Sequence, residues 1–447
     1  MALLIRMEAS LQEITSDSLR RPYITNILHT LKTVQDESIA IREAELAQNP
    51  ELRRALLVVE YFLRKTKRLC YGGMAINAHL PPSLKFYDFS KTIPDYDFFT
   101  PTPEKDVEYL MKLLEHAGFD SVAKRLGMHE GTYKIFVNYH GVADITFMVP
   151  WLYNKLTKTA IVEDKIHYVD ANYLRMSMYL ELSRPRGEVE RWEKVYKRLL
   201  QLNLVKPVGL SRCKRSTKPI TILNSEVYRK LVEYVIDNKF IFCGAELATI
   251  YSKNTARAGF LFKKNYPLIV YAQSPLNHLA KIRHIILSTE PDAKIITVHW
   301  ERLKDIIPEM YGIKINGRLS MLILEEYYCF GYNTVTVPSY GKMLIASLDT
   351  AITLYYTLAY LRDLDELVPN SVECFAHRLV ELSKKTRDKN DTGVFPLFVD
   401  SCQGHQPTKE TLLKAKAKRI EEYKRATRNS KNTGSVLSIR RRTRRAT

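Results

Sequence analysis

The sequence contains few cysteines and no long uninterrupted hydrophobic run. Its 447 residues include 6 cysteines, and none of them forms a CxxC pair, which argues against a zinc ribbon. This low density also argues against a disulfide-stapled secreted scaffold, so we expect buried, unpaired cysteines and a reducing compartment. The most apolar long stretch, residues 343–361, contains Asp349 and several hydroxyl residues, and therefore predicts a buried helix rather than a membrane span.

The overall composition is that of a soluble globular protein with an uneven charge distribution. Hydrophobic residues make up 45% and charged residues 26% of the chain, and the length predicts two or three domains. The net charge is +19, and residues 409–447 hold 14 lysines and arginines against 3 glutamates. The body of the chain is therefore only mildly basic, while the tail favours a polyanionic partner. The alternative for the tail is a localisation or packaging signal.

The two halves of the chain show a weak internal similarity. In the first half, a helix ending near residue 69 precedes Gly72-Gly73, and a strand is predicted at residues 93–99. In the second half, a helix over residues 225–238 precedes Gly244, and an apolar strand follows at residues 267–272. The second strand lacks the acidic residues of the first. This pattern predicts a degenerate copy of the first half, kept for binding or as a scaffold.

Three aspartates are the candidate metal-binding residues. Asp95 and Asp97 are two residues apart on the predicted strand 93–99, so their side chains should share one face of the strand. Two carboxylates on one face repel each other unless a cation lies between them. Asp144 lies in a second predicted strand, within Val142–Phe147, and would complete a site for two Mg²⁺ or Mn²⁺ ions if the strands are neighbours.

Further candidate residues surround these acids. Gly72 and Gly73 precede a predicted helix, where backbone amides can approach a triphosphate; the alternative is a simple helix-entry turn. Lys194 lies between Arg191 and Arg198 on one face of a predicted helix over residues 188–202, a face that could bind ATP phosphates or simply be solvated. Ser177 could add a hydroxyl contact to the nucleotide.

Three motifs together resemble a known family. They are the sequences Tyr71-Gly72-Gly73-Met74-Ala75-Ile76-Asn77, Pro94-Asp95-Tyr96-Asp97-Phe98-Phe99 and residues 173–185, YLRMSMYLELSRP. A Gly-Gly turn, an Asp-x-Asp and a third Asp are typical of the DNA polymerase β-like nucleotidyltransferases. The full sequences of the three motifs resemble the poly(A) polymerase catalytic subunit of large and giant DNA viruses and, more distantly, the poxvirus enzyme. The resemblance runs over roughly residues 50 to 360.

The resemblance implies a fold, a reaction and a location. It implies an α/β (α+β) nucleotidyltransferase fold with a mixed sheet and flanking helices, followed by a second, degenerate nucleotidyltransferase-like domain. It identifies Asp95, Asp97 and Asp144 as metal-binding acids and implies template-independent transfer of adenylate from ATP to RNA 3′ ends. It also implies the virion and the host cytoplasm as the location, and either self-association or a processivity subunit. Of these two, we expect a homodimer, with no membrane association.

The residues alone leave two alternative functions open. The first is another RNA nucleotidyltransferase, such as a uridylyl- or CCA-adding enzyme, and the second is a non-catalytic RNA-binding protein on the same fold. The retained acids at positions 95, 97 and 144 favour an enzyme. The predicted organisation is an N-terminal helical segment (1–69), a catalytic domain (70–205), a degenerate domain (206–400) and a basic, partly disordered tail (401–447).

Overall fold

The computed structural model describes residues 21–213, 224–258, 266–303, 306–361, 364, 367–368, 371–388 and 393–425. Thirteen helices of four or more residues lie in these ranges. They are α1 (Arg21–Ala47), α2 (Pro50–Thr66), α3 (Gly72–His79), α4 (Pro103–His116), α5 (Pro150–Thr159), α6 (Ala171–Leu182), α7 (Trp192–Val205), α8 (Ser225–Asp237), α9 (Leu247–Lys253), α10 (Leu276–Leu287), α11 (Leu348–Ala359), α12 (Val372–Asp388) and α13 (409–425). None of the described helices is long and apolar enough to cross a membrane.

The strands form two mixed sheets, one in each half of the chain. The first contains β1 (Leu69–Cys70), β2 (Tyr96–Thr100), β3 (Val122–Leu126), β4 (Thr132–Val137), β5 (His140–Phe147), β6 (Ile161–Glu163) and β7 (Ile166–Tyr168). The second contains β8 (Ile241–Phe242), β9 (Leu268–Ala272), β10 (Ile295–Trp300), β11 (Met310–Ile315), β12 (Arg318–Glu325), β13 (Phe330–Val337), β14 (Gly341–Ala346) and β15 (Cys402–Gln403).

The second sheet repeats the topology of the first. The strand order is β3-β4-β5-β2-β1-β7-β6 in the first sheet and β10-β11-β12-β9-β8-β14-β13-β15 in the second. Corresponding neighbours also run in the same relative direction: β2 is parallel to β5 as β9 is to β12, and β1 is parallel to β7 as β8 is to β14. The predicted fold class, a mixed α/β domain followed by a second domain of the same kind, is therefore confirmed.

Helix α2 shows how the sequence builds the first core. The side chain of Asn49 accepts hydrogen bonds from the backbone amides of Glu51 and Leu52, and Pro50 occupies the first turn, where its missing N–H costs no hydrogen bond. The buried face of the helix repeats every three to four residues and comprises Leu52, Ala55, Leu56, Val59, Phe62 and Leu63. Leu57, by contrast, is 61% exposed.

Two predictions need correction. The strand predicted at residues 93–99 begins only at Tyr96, so Asp95 precedes the strand instead of sharing it with Asp97. The apolar stretch 343–361 is not one helix, because its first residues complete β14 before α11 begins at Leu348.

The expectation of six unpaired cysteines is also wrong. Cys213 is bonded to Cys374 and Cys329 to Cys402, and these pairs join segments far apart in the sequence. Only two of the six, Cys70 and Cys243, are free and buried as expected. Pairing across such separations depends on the tertiary fold, which the positions of the cysteines in the sequence do not reveal.

Candidate active site

Two of the three predicted acids lie side by side at the centre of the first sheet. Asp97 on β2 is the direct neighbour of Asp144 on the parallel strand β5. Asp95 is exposed and immediately precedes β2. Burial, followed by the negative charges of Asp95 and Asp144, raises the pKa of Asp97 to about 7. The three carboxylates therefore act on one another electrostatically, and a cation between them would relieve that repulsion.

The Gly-Gly turn packs directly against Asp97. The backbone amide of Tyr71 donates a 2.9 Å hydrogen bond to the carbonyl oxygen of Asp97, which joins the turn to β2. Gly72 has a φ of +67°, and a Cβ atom at this position would overlap the Asp97 carboxylate. A side chain on residue 72 is thus excluded both by backbone conformation and by space. Helix α3 therefore begins beside Asp97, and the binding of phosphate by this turn stays a prediction.

An aromatic stack holds this part of the sheet together. The ring of Tyr71 lies 3.9 Å from the ring of Phe99 with the planes nearly parallel, and Tyr173 meets Phe99 edge to face. The hydroxyl of Tyr71 is also 3.0 Å from the Thr146 hydroxyl on β5. These contacts fix β5 against the Gly-Gly turn, and so fix the separation between Asp144 and the N-terminus of α3.

Asp144 has a cationic partner that the sequence analysis did not identify. Lys134 lies directly opposite Asp144 on the antiparallel strand β4, and its ammonium group forms an ion pair with the Asp144 carboxylate. Burial raises the pKa of Asp144, and the hydrogen bond and charge of Lys134 offset part of that rise. Although burial by itself would lower the pKa of Lys134, the hydrogen bond and charge of Asp144 raise it. Lys134 therefore remains charged beside the acids.

The acids suit a divalent metal in their chemistry but are not arranged as a closed cage. Carboxylate oxygens are the ligands that Mg²⁺ prefers, and Mg²⁺ is commonly held by one or two carboxylates together with substrate phosphates. Within the described ranges, no group of three or more acidic, histidine or cysteine side chains is close enough to hold a metal ion by itself. The donor type and the raised pKa of Asp97 fit a site completed by the substrate's phosphates.

Helix α7 brings basic residues toward the acids. Burial, followed by the charges of Arg198 and Arg191, lowers the pKa of Lys194, while Asp95 acts in the opposite direction. Lys194 therefore lies within the electrostatic field of both the basic face and the acids. Arg191 forms ion pairs with Glu181 at 3.4 Å and with Glu188 at 2.9 Å.

The long loop between α3 and β2 contributes a side chain that the motifs did not indicate. The hydroxyl of Tyr87 fills the space that a side chain on Gly73 would occupy, and it accepts a 3.1 Å hydrogen bond from Arg198. The side-chain oxygen of Asn77 accepts hydrogen bonds from the amides of Phe86 and Tyr87, which anchors the loop on α3. The loop thus links the Gly-Gly turn to the basic face of α7.

Ser177, in contrast, uses its hydroxyl within its own helix. Its Oγ donates a 3.1 Å hydrogen bond to the carbonyl oxygen of Tyr173, one turn earlier in α6. This bond leaves only the oxygen lone pairs for another partner. A nucleotide contact by Ser177 remains a prediction.

The second sheet has no acids at the corresponding positions. The amide of Cys243 donates to the carbonyl of Ile269, as that of Tyr71 does to Asp97, so Ile269 takes the place of Asp97. Pro267 and Leu322 then correspond to Asp95 and Asp144. The carboxylate chemistry available to the first sheet is absent from these described positions in the second.

Comparisons with known proteins agree with this geometry. Residues 57–188 match the family model described as the poly(A) polymerase catalytic subunit. A putative poly(A) polymerase catalytic subunit of Acanthamoeba polyphaga mimivirus is 28% identical over 232 residues, which cover 48% of this chain and 39% of that protein. One from African swine fever virus is 30% identical over 147 residues, covering 32% of this chain and 30% of that protein.

A solved structure extends the similarity across both halves of the chain. The crystal structure of the Megavirus polyadenylate synthase matches with a TM-score of 0.71 at 19% identity and covers 90% of this chain and 84% of that one. The chain therefore shares the fold of that structure. Within it, the segment 57–188 carries the poly(A) polymerase catalytic subunit signature, so the resemblance seen in the motifs is confirmed. The matched segments of the chain span well under half the length of the curated viral relatives.

Proposed function

We propose that the protein is a template-independent polynucleotide adenylyltransferase that adds poly(A) from ATP to RNA 3′ ends. The observation that carries the proposal is the adjacency of Asp97 and Asp144 on parallel strands beside the Gly72 turn. These residues lie inside the segment that matches the poly(A) polymerase catalytic subunit family. The names of the viral relatives, which describe poly(A) polymerase subunits and a polyadenylate synthase, support the choice of adenylate.

In the proposed reaction, the RNA 3′-hydroxyl oxygen forms a bond to the α-phosphorus of ATP. The bond from that phosphorus to the bridging oxygen breaks, pyrophosphate leaves, and the hydroxyl proton passes to solvent. Backbone amides at the start of α3, at Gly72 and Gly73, and the Lys194 ammonium face the triphosphate, with Ser177 as a further candidate contact. Asp95, Asp97 and Asp144 would hold two Mg²⁺ or Mn²⁺ ions, which stabilise phosphate charge and lower the pKa of the attacking hydroxyl when bound.

The proposed domain boundaries follow the two sheets. The catalytic domain, residues 70–205, runs from the last residue of β1 to the end of α7 and contains all of the candidate site residues. The segment 1–69 precedes it and contributes α2 to its core. The degenerate domain begins at residue 206. Because β15 pairs with β13 in the second sheet, we extend this domain from residue 400 to residue 403 and begin the basic tail after it.

We further propose a homodimer, or a complex with a processivity subunit, located in the virion and the infected-cell cytoplasm. Support for a protein partner comes from α1, where Leu28, Leu31 and Val34 are each about half exposed at 51–52%. These residues recur at helical spacing and form an apolar stripe suited to packing against another helix. The location rests on the viral origin of the relatives.

One assay tests the reaction and separates it from the alternatives. The purified protein is incubated with end-labelled RNA, one nucleoside triphosphate at a time, and Mg²⁺ or Mn²⁺. Extension with ATP alone supports the proposal. Preferential extension with UTP or CTP would instead indicate another nucleotidyltransferase, and RNA binding without any extension would indicate a binding protein.

A further inference from the structure

Four charged residues form one row across neighbouring strands of the first sheet. Arg125 on β3 is paired with Lys134 on β4, Lys134 with Asp144 on β5, and Asp144 with Asp97 on β2. Directly paired residues on adjacent strands place their side chains on the same face of a sheet. The row therefore runs from the two acids at the centre of the sheet through two cations to the edge strand.

The outer cation of this row is available to a ligand. Arg125 is exposed, and its guanidinium lies 4.8 Å from the centre of the Phe136 ring on β4. Among the described residues, no carboxylate forms an ion pair with Arg125. A guanidinium stacked on an aromatic ring keeps its N–H edge free for phosphate oxygens. The inner cation, Lys134, has a side chain that is 39% exposed.

We propose that Arg125 and Lys134 form a subsite for the phosphodiester backbone of the RNA whose 3′ end enters the active site. This inference rests on the proposed function, because it assumes that the polyanion is RNA held for extension. Strands in a sheet are about 4.8 Å apart, so Arg125 lies two strands, about 10 Å, from Asp144. An RNA strand that ends at the acids and crosses β4 and β3 would bring its last phosphates past both cations.

The opposite side of the acids is occupied by the elements assigned to the nucleotide. Strand β1 lies on the other side of β2 from β5, and it leads into the Gly72 turn, where α3 begins. Helix α7 also lies on the nucleotide side, because Arg198 donates a hydrogen bond to the Tyr87 hydroxyl beside Gly73. The acids thus separate a phosphate-binding turn on one side from a pair of cations on the other. RNA would therefore reach the acids by crossing β3 and β4, on the side away from the nucleotide.

A neighbouring lysine provides a matched control. Lys124 precedes Arg125 on β3, is also exposed and carries the same charge, but successive side chains on a strand point to opposite faces. Its ammonium group lies 5.7 Å from the centre of the Tyr423 ring on α13 instead of facing the row. A general dependence on positive charge would make Lys124 and Arg125 equally important, whereas the proposed subsite includes Arg125 but not Lys124.

The test compares Arg125→Gln with Lys124→Gln in the full-length protein. The affinity for a labelled single-stranded RNA of about 15 nucleotides is measured by fluorescence anisotropy over a range of salt concentrations. Loss of one phosphate contact should flatten the plot of log affinity against log salt by about 0.7 for a single strand. We expect Arg125→Gln to weaken binding about three- to tenfold at moderate salt, and Lys124→Gln to match the wild type. Arg125→Lys should recover part of the affinity.

The outcomes separate this inference from the proposed activity. Wild-type affinity and slope in Arg125→Gln would overturn the subsite even if the protein extends RNA normally with ATP. A larger effect of Lys124→Gln would overturn it too, because RNA would then follow the α13 side of the sheet. If Arg125→Gln alone weakens binding while the wild type extends no RNA with any nucleotide, the subsite stands and the proposed activity fails.

Discussion

Lys134 and Asp144 form an ion pair across the antiparallel strands β4 and β5, next to Asp97 on β2. A lysine ammonium is therefore bound to one of the three carboxylates assigned to metal chemistry. A divalent ion that binds Asp144 must compete with this ammonium, because the two positive charges repel each other on one carboxylate. Lys134 is consequently both a competitor for the metal and a cation that can turn toward an RNA phosphate once displaced.

The first prediction is that Lys134→Gln binds Mn²⁺ more tightly than the wild type when RNA and ATP are absent. Removing the competing ammonium should strengthen binding about three- to tenfold, which corresponds to the roughly 1 kcal/mol of a partly exposed ion pair. Isothermal titration calorimetry measures this directly, with Lys124→Gln as the charge-matched control. Unchanged or weaker Mn²⁺ binding in Lys134→Gln would show that the ion pair does not compete with the metal.

The second prediction concerns the acids. The double variant Asp95→Asn and Asp97→Asn should reduce adenylate addition by at least about a hundredfold, because the phosphate charge that develops in the reaction loses its stabilisation. Folding should be retained, since asparagine has nearly the same shape as aspartate. Rates are measured on labelled RNA with ATP and Mn²⁺, and the circular dichroism spectrum checks the fold. Asp120→Asn, at an exposed acid, serves as the control. A double variant that keeps a rate within tenfold of the wild type would show that the chemistry lies elsewhere.

Local sequence patterns indicate where helices begin, but they do not indicate that Lys134 pairs with Asp144. In helix α6 the side chain of Asp170 accepts hydrogen bonds from two backbone amides at the first turn, as that of Asn49 does in α2. Lys134 depends instead on an irregularity in the β4–β5 pairing between Ile135 and Phe136. Without this one-residue shift, Lys134 would pair with Ala143, and Asp144 would lie on the opposite face of the sheet from Lys134. Single-residue shifts of this kind have no clear sequence signal.

The degenerate repeat was predictable for a different reason. Its helix, its glycine turn and the apolar strand β9 keep the same order and similar spacing as in the first half, so the comparison needed no tertiary information. The disulfides and the row of four charged residues across the first sheet could not be inferred in the same way. Each brings together residues whose proximity is set by strand order and register.

The third prediction concerns the tail beyond the described helix α13. Residues 426–447 contain 7 arginines and lysines and no acidic residue. Deleting them should weaken RNA binding and flatten its salt dependence, because fewer phosphate contacts release fewer counterions. Single-nucleotide addition at saturating RNA should persist, since the acids are untouched. Salt titration of RNA binding with and without the segment decides the matter: an unchanged slope would assign the tail to localisation or packaging.

The fourth prediction concerns the attachment of α13 to the catalytic sheet. Arg419 donates hydrogen bonds to the carbonyl oxygens of Gly127 and Met128 in the turn between β3 and β4. Arg419→Gln should release the helix, whereas Lys418→Gln removes the same charge from an exposed position next to it. Hydrogen exchange of residues 409–425 should become faster, by about tenfold or more, in Arg419→Gln only. Equal exchange in the two variants would mean that Arg419 does not hold the helix.

The fifth prediction uses a buried histidine in α12. His377 is 7% exposed, and burial, followed by the charge of Arg175, lowers its pKa to about 4. Glu373 lies 3.8 Å from its Nε2, but its side chain is 54% exposed, so solvent screens its attraction. The folded protein therefore keeps His377 neutral at a pH where the unfolded chain, with an ordinary histidine pKa near 6.5, is already protonated.

The sign of the effect follows from this difference in proton binding. Between about pH 6.5 and pH 4 the unfolded state binds more protons than the folded state at this residue, so the free energy of unfolding must fall as the pH falls. The loss contributed by His377 is at most about 3 kcal/mol. Urea unfolding at several pH values should show a shallower decline in His377→Gln than in the wild type, while His284→Gln, at an exposed histidine, should follow the wild type. Parallel declines in all three proteins would show that other groups control acid stability.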